Sequence, residues 1–171
     1  MKNLFLLRHA KSSWSDPSTD DFHRPLSKRG ISNALSLSKY ISEHQIIFDL
    51  ILSSPSERTQ ATLDLIFTEK NFLSKIKFQE AIYHAEMSTL LELIKDQNNL
   101  KKNILVIGHN PGLHLLIEHL TKTLIEKFPT CGFVKLSNFD SWKDLDANIL
   151  DLKFFVTPRD LIHDGFKSKN S

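Results

Sequence analysis

The chain has 171 residues, with 22 Lys and Arg against 20 Asp and Glu and a formal net charge of +2, which suits one ordinary domain able to bury a core. Its basic residues are scattered from Lys2 to Lys169, so the clustered positive patch of a nucleic-acid binder is missing. Hydrophobic residues at 40% and charged residues at 25% argue against disorder or a fibrous repeat.

Lys2 to Leu7 reads as a short buried strand, a compact apolar run with a sharp polar end at Arg8 and His9. That run is too short for a secretory core, and no stretch approaches the ~20 apolar residues that span a bilayer. Cys131 is the only cysteine, which precludes an intramolecular disulfide and fits a reducing compartment. A cytoplasmic protein with no nucleic-acid or membrane partner is expected.

Residues 11 to 30 form a polar loop with turn-forming pieces "DPSTDD" and "RPLSKRG". A helix follows, N-capped by Ser27, with Ile31, Ala34, Leu35, Tyr40 and Ile41 near helical spacing and Gly30 weakening its first turn. "FDLILSSP" from Phe48 to Pro55 is a second buried strand, and Ala61, Thr62, Leu65 and Ile66 line one face of the next helix. "KIKF" at 75 to 78 is a weaker strand, and Met87, Leu90, Leu91 and Ile94 fit an amphipathic helix. "NILVIG" at 103 to 108 is the strongest strand signal. Its helix is expected to have Asn110 as N-cap and Pro111 at the first helical position, then Leu113, Leu116, Ile117, Leu120 and Leu124 on one side. "GFVKL" at 132 to 136 and "DLKFFV" at 151 to 156 read as late strands before a polar tail from about residue 165 ending "KSKNS".

Aliphatic strands alternating with helices predict a single α/β domain, a three-layer α/β/α sandwich around a mainly parallel sheet. In such sheets ligands bind beyond the carboxyl ends of strands. Arg8 and His9 follow the first strand, Ser53 to Arg58 the second, and Gly108-His109-Asn110 the strand at 103 to 107. Arginine offers a planar fork of donors to phosphate oxygens, imidazole can act as nucleophile or donor, and a helix N-terminus presents free N–H groups. Together the three strand ends suggest a phosphate pocket.

The segments "LRHAKSSW", "SSPSERTQAT" and "VIGHNPG" resemble the signature pieces of the histidine phosphatase superfamily, with Ala10 where that family's Arg-His-Gly motif has glycine. "DFHRPLSKRG" and "FFVTPRDL" further resemble its short branch of SixA-type phosphohistidine phosphatases. The resemblance implies a phosphoglycerate mutase-like fold with His9 as phosphate-accepting nucleophile. Arg8, Arg58 and His109 would hold the phosphoryl oxygens, and Ser12 and Asn110 would add hydrogen bonds. It implies no cofactor and no metal. Relatives acting on phosphomonoesters carry a carboxylate acid, for which Glu80 and Glu86 are the candidates. Phosphohistidine has an activated P–N bond and needs less help from an acid, which favours a phosphorylated protein over a small phosphorylated metabolite.

Other chemistries fit less well. His109, His114 and His119 are five apart, and at ~100° per residue each step turns the side chain by about 140°, so they cannot share a metal-binding helix face. Ser137, not arginine, stands six residues after Cys131, so a cysteine phosphatase loop is missing. "DLD" at Asp144 to Asp146 does not end a buried strand, and no G-x-x-x-x-G-K run suggests a P-loop. His23, His44, His84 and His163 carry no specific signal. A small-molecule phosphatase or mutase and a non-catalytic phosphate sensor remain as competing functions.

Overall fold

The computed structural model of the chain describes residues 1–68 and 70–167, the side chains of 70–72 and 163–167 excepted. The side chain of His163 and the terminal part of the expected tail lie outside the described residues. Among the described residues six strands form one sheet: β1 (Lys2–Arg8), β2 (Leu50–Ser53), β3 (Ile76–Phe78), β4 (Asn103–Gly108), β5 (Phe133–Phe139) and β6 (Asp151–Val156), in the order β3-β2-β4-β1-β5-β6. β3, β2, β4 and β1 pair in parallel. β5 runs antiparallel to both β1 and β6, so the sheet is mainly parallel.

The near-continuous apolar strands are those of a sheet covered on both faces. Leu4, Leu6, Leu52, Ile104 and Val106 face one core cluster, which holds Leu90 and Ile94 of α3 (Met87–Lys95) and Leu113, Leu116 and Ile117 of α4 (Gly112–Leu120). Phe5, Leu7, Ile51, Leu105 and Ile107 face the other, with Ala34, Leu37 and Ile41 of α1 (Lys28–Glu43) and Leu63 and Ile66 of α2 (Glu57–Ile66). The alternation that sorts successive strand residues onto opposite faces thus builds two cores and the expected three layers.

Details differ from the sequence reading. Ser27 caps α1, its hydroxyl accepting from the Gly30 N–H at 3.1 Å. The inward face is Ala34, Leu37 and Ile41, while Ile31 and Leu35 are exposed, because the packing stripe is set by contact with α2 and not by every aliphatic residue. Asn110 does not cap α4. Pro111 takes the N-cap position, and the Asn110 amide instead donates to the Phe128 carbonyl at 2.8 Å. The helix ends at Leu120, leaving Leu124 exposed. A further helix, α5 (Pro158–Lys167), occupies the start of the expected tail, and its Leu161 packs against the α1 side.

Candidate active site

β2, β4 and β1 are neighbours whose carboxyl ends lie side by side, with Arg8 opposite Gly108 and Ser53 opposite Ile107. Register therefore delivers the residues after each strand to one place. They line a cavity of about 300 Å³ that includes Arg8, His9, Ser12, Arg58, His109 and Asn110. Glu80 and Glu86 are exposed and do not line it.

Thr62 joins two of these elements. Its hydroxyl accepts from the Ala10 N–H at 3.0 Å and donates to the Arg58 carbonyl at 2.6 Å, fixing the loop after β1 to the first turn of α2. Arg58, 4% exposed, then addresses both histidines. Its Nε donates to His9 Nε2 at 3.3 Å and its Nη2 to His109 Nδ1 at 3.4 Å. Guanidinium only donates and a carbonyl only accepts, so the tautomers follow. His9 carries its proton on Nδ1, donated to the Ala10 carbonyl at 2.7 Å, and presents a lone pair on Nε2. His109 carries its proton on Nε2, directed at Ser54 Oγ at 2.8 Å.

Both rings are 6% exposed and are held neutral. Burial pushes His9 down to about 3, the charges of Arg58, Arg8 and Arg24 pushing the same way against the Ala10 hydrogen bond. Burial likewise takes His109 to about 3, aided by His9, Arg58 and His84. The ring centroids stand 5.2 Å apart. Arg8 donates from Nη1 to the Phe128 carbonyl at 3.1 Å, while its Nε is buried without a partner. Burial and then Arg58 lower its affinity for its proton.

Sequence reading missed the hub of the site, Asp21. Its carboxylate accepts from Arg58 Nη2 at 3.0 Å, Arg24 Nη1 at 3.0 Å and the Tyr83 hydroxyl at 2.6 Å, and His84 Nε2 lies 3.3 Å away. Burial works to raise its pKa, but those hydrogen bonds and the Arg58 charge outweigh it and hold the group well below the carboxylate range. Arg24, 7% exposed, also donates to Ser12 Oγ at 2.5 Å and to the Ser13 carbonyl at 3.2 Å, and lies over the Trp14 ring. It lines the cavity with His84. "DFHRPLSKRG" opens with Asp21 and contains Arg24, so both lay inside a segment the sequence reading quoted, and neither was given a role in the site.

The remaining histidines and Cys131 do not join this chemistry. His114 faces Glu118 at 3.3 Å, and His119 Nε2 is buried without a partner. Among the described residues no cluster of His, Cys, Asp or Glu is arranged to hold a metal ion. Cys131 is buried, its thiol pushed up to about 12 by burial, and its N–H donates to the Arg8 and His9 carbonyls. Among the described residues no helix is long and apolar enough to cross a membrane.

Known proteins bear on this geometry. The family described as the histidine phosphatase superfamily (branch 1) matches residues 4–87. An uncharacterized chloroplastic protein of Arabidopsis thaliana is 33% identical over 162 residues, covering 85% of this chain and 71% of its own. A structure from Agrobacterium tumefaciens assigned as the phosphohistidine phosphatase SixA is 28% identical, covers 92% of this chain and 98% of its own, and superposes with a TM-score of 0.78. The protein histidine phosphatase SixA complexed with tungstate, 18% identical and matching 93% of this chain and 99% of its own, shares the fold at a TM-score of 0.79. The chain belongs to the histidine phosphatase superfamily, in its SixA-like branch.

Proposed function

We propose that the chain is a phosphohydrolase working through a phosphohistidine intermediate on His9, with phosphohistidine on a partner protein as its substrate. The observation that carries this reading is the His9 tautomer. Its Nε2 lone pair faces a cavity lined by Arg8, Arg24 and Arg58. A nucleophilic imidazole must be neutral, and burial among guanidiniums keeps it so. Phosphoryl oxygens would replace the imidazole lone pairs as acceptors for Arg58 and would meet Arg8. Charge spread over those oxygens in transfer is then stabilised by preorganised cations, usually the largest share of such catalysis. Attack by Nε2 forms the P–N bond to His9 as the bond to the leaving group breaks. Water then hydrolyses the phosphoenzyme and releases inorganic phosphate. In this reading the guanidiniums supply the charge and no metal is required.

A second cavity of about 970 Å³ adjoins the first, sharing Arg8, Lys11 and Thr130 and running past Arg29, Lys127 and Arg159. Such open, cationic ground beside the pocket supports a substrate larger than a simple metabolite. The test is a substrate panel, run with and without chelator: a phosphohistidine peptide, an aryl phosphate, an alkyl phosphate and a glycerate phosphate. Fastest turnover on the peptide, unaffected by chelator, is expected. Faster hydrolysis of the alkyl phosphate would transfer the assignment to small-molecule phosphatases. A labelled phosphodonor should leave acid-labile, alkali-stable phosphate on the wild type and none on His9→Ala. No label and no phosphate release would make the protein a phosphate sensor.

A further inference from the structure

The carboxylates expected to protonate a leaving group are turned to solvent outside the cavity, yet the cavity rim holds another titratable side chain. His84 follows the short helical turn Glu80–Ile82 and lines the pocket together with His9 and Arg58. Its backbone is left-handed, φ 54°, a conformation uncommon for a residue with a β-carbon and frequent at functional sites. Its Nε2 lies 3.3 Å from Asp21 Oδ2, and no described residue bonds Nδ1. The ring centroid is 4.0 Å from that of Tyr83 and 6.2 Å from that of His109. At 63% side-chain exposure it can meet a leaving group that extends out of the pocket.

We propose that His84 is the proton donor to the leaving group and that Asp21 is its positioning residue. This rests on the phosphohydrolase reading above and adds a role that reading does not need. Imidazole suits it because one ring nitrogen can be held by a carboxylate while the other donates a proton. A carboxylate on one ring nitrogen orients the ring and stabilises its cation, leaving the other nitrogen to act. Tyr83 is a poorer donor: its hydroxyl is committed to Asp21, and burial followed by that carboxylate pushes it up to about 12. The other groups facing His84 are Arg58 from α2 and His109 after β4.

The step balances as follows. The His9 Nε2 lone pair forms the P–N bond, and the bonding pair of the scissile P–O or P–N bond passes to the leaving atom. That atom takes the Nδ1 proton of imidazolium His84, which becomes neutral. In the second half His84 accepts a proton from water as the water oxygen bonds phosphorus, and the P–N pair returns to His9.

The left-handed backbone makes His84→Asn and His84→Gly conservative in fold, since Asn and Gly adopt that region readily. The experiment compares the single-turnover rate of leaving-group release by wild type and both variants from an aryl phosphate, whose leaving group departs without a proton, and from a simple alkyl phosphate. We expect the alkyl rate to fall by ~100-fold or more and the aryl rate by less than roughly threefold. Added imidazole should restore part of the alkyl rate in His84→Gly. Equal loss on both substrates, no loss on the alkyl phosphate, or no measurable alkyl turnover by the wild type would overturn the proposal. Labelling of His9 separates the two claims. If wild type and both His84 variants form the phosphoenzyme while the leaving-group contrast is missing, only the role of His84 fails. If the wild type forms none, the hydrolase reading fails and this step with it.

Discussion

Two neutral histidines inside a cationic pocket should make the fold acid-sensitive by a definite amount. His9 and His109 titrate near 3 in the folded chain against ~6.5 when unfolded. A depressed folded value means that the unfolded chain binds more protons between those limits, so stability rises with pH through the window and is lost as pH falls from ~6.5 toward 3. At pH 5 each group protonates almost fully when unfolded and hardly at all when folded, which costs about 2 kcal/mol relative to pH 7, or about 4 kcal/mol for the pair. Because pH 5 lies well above the folded values, the unfolded value sets this figure. The control is the double variant His9→Asn with His109→Gln, whose amides can still reach the Ala10 carbonyl and Ser54 Oγ. Urea unfolding at pH 7 and pH 5 should show the wild type losing about 4 kcal/mol more than the double variant. The other histidines and carboxylates are common to both proteins and cancel. An excess loss under ~1 kcal/mol would mean that the rings are already protonated in the folded state at pH 5, and the claim that burial holds His9 neutral into acid would be refuted with it.

Two substitutions test the scaffold and the anion grip. In α1, Gly30→Ala would ordinarily stabilise a helix by up to ~1 kcal/mol, but an added Cβ would lie 2.1 Å from the Lys11 carbonyl oxygen, so a net loss of ~1–3 kcal/mol is expected in urea melts; a gain would show that the loop after β1 yields freely. Arg24→Ala removes the donor to Ser12 and Asp21 and one cavity cation, and kcat/KM should fall about 10- to 100-fold, the span of ~1.5–3 kcal/mol for hydrogen bonds to charged groups; an unchanged value would remove Arg24 from the site.

What the sequence made legible was whatever periodicity and strand ends encode. Four parallel strands and their helices are written in aliphatic runs, and the strand ends put Arg8, His9, Arg58 and His109 in one cavity. The face of α1 was partly misread because Ile31 and Leu35 are as apolar as Leu37, and only contact with α2 decides which turn inward. Asn110 had the chemistry of a cap, but tertiary structure gave its amide the Phe128 carbonyl. Asp21, although it opens "DFHRPLSKRG", and His84 were passed over for a different reason. They sit in loops without periodicity, 63 residues apart in sequence, and only the packed loops bring the carboxylate and imidazole to 3.3 Å.

Asp21 also explains how so much positive charge is held in place in one pocket. Arg8, Lys11, Arg24 and Arg58 line the pocket and Asp21 engages two of them, so with His9 and His109 neutral, and His84 left out of the count, four cations against one carboxylate leave three positive charges. Unpaired, buried guanidiniums would repel one another and swing toward water. With Asp21 bonded to Nη2 of Arg58 and Nη1 of Arg24, the forks are fixed while Arg58 Nε stays directed at His9. The carboxylate offsets one of those charges and leaves the pocket cationic. The same oxygen that holds Arg58 lies within 3.3 Å of His84. In the proposed reaction, grip on the phosphoryl group and delivery of a proton to its leaving group would therefore be tied to one side chain, and moving Asp21 would disturb both together.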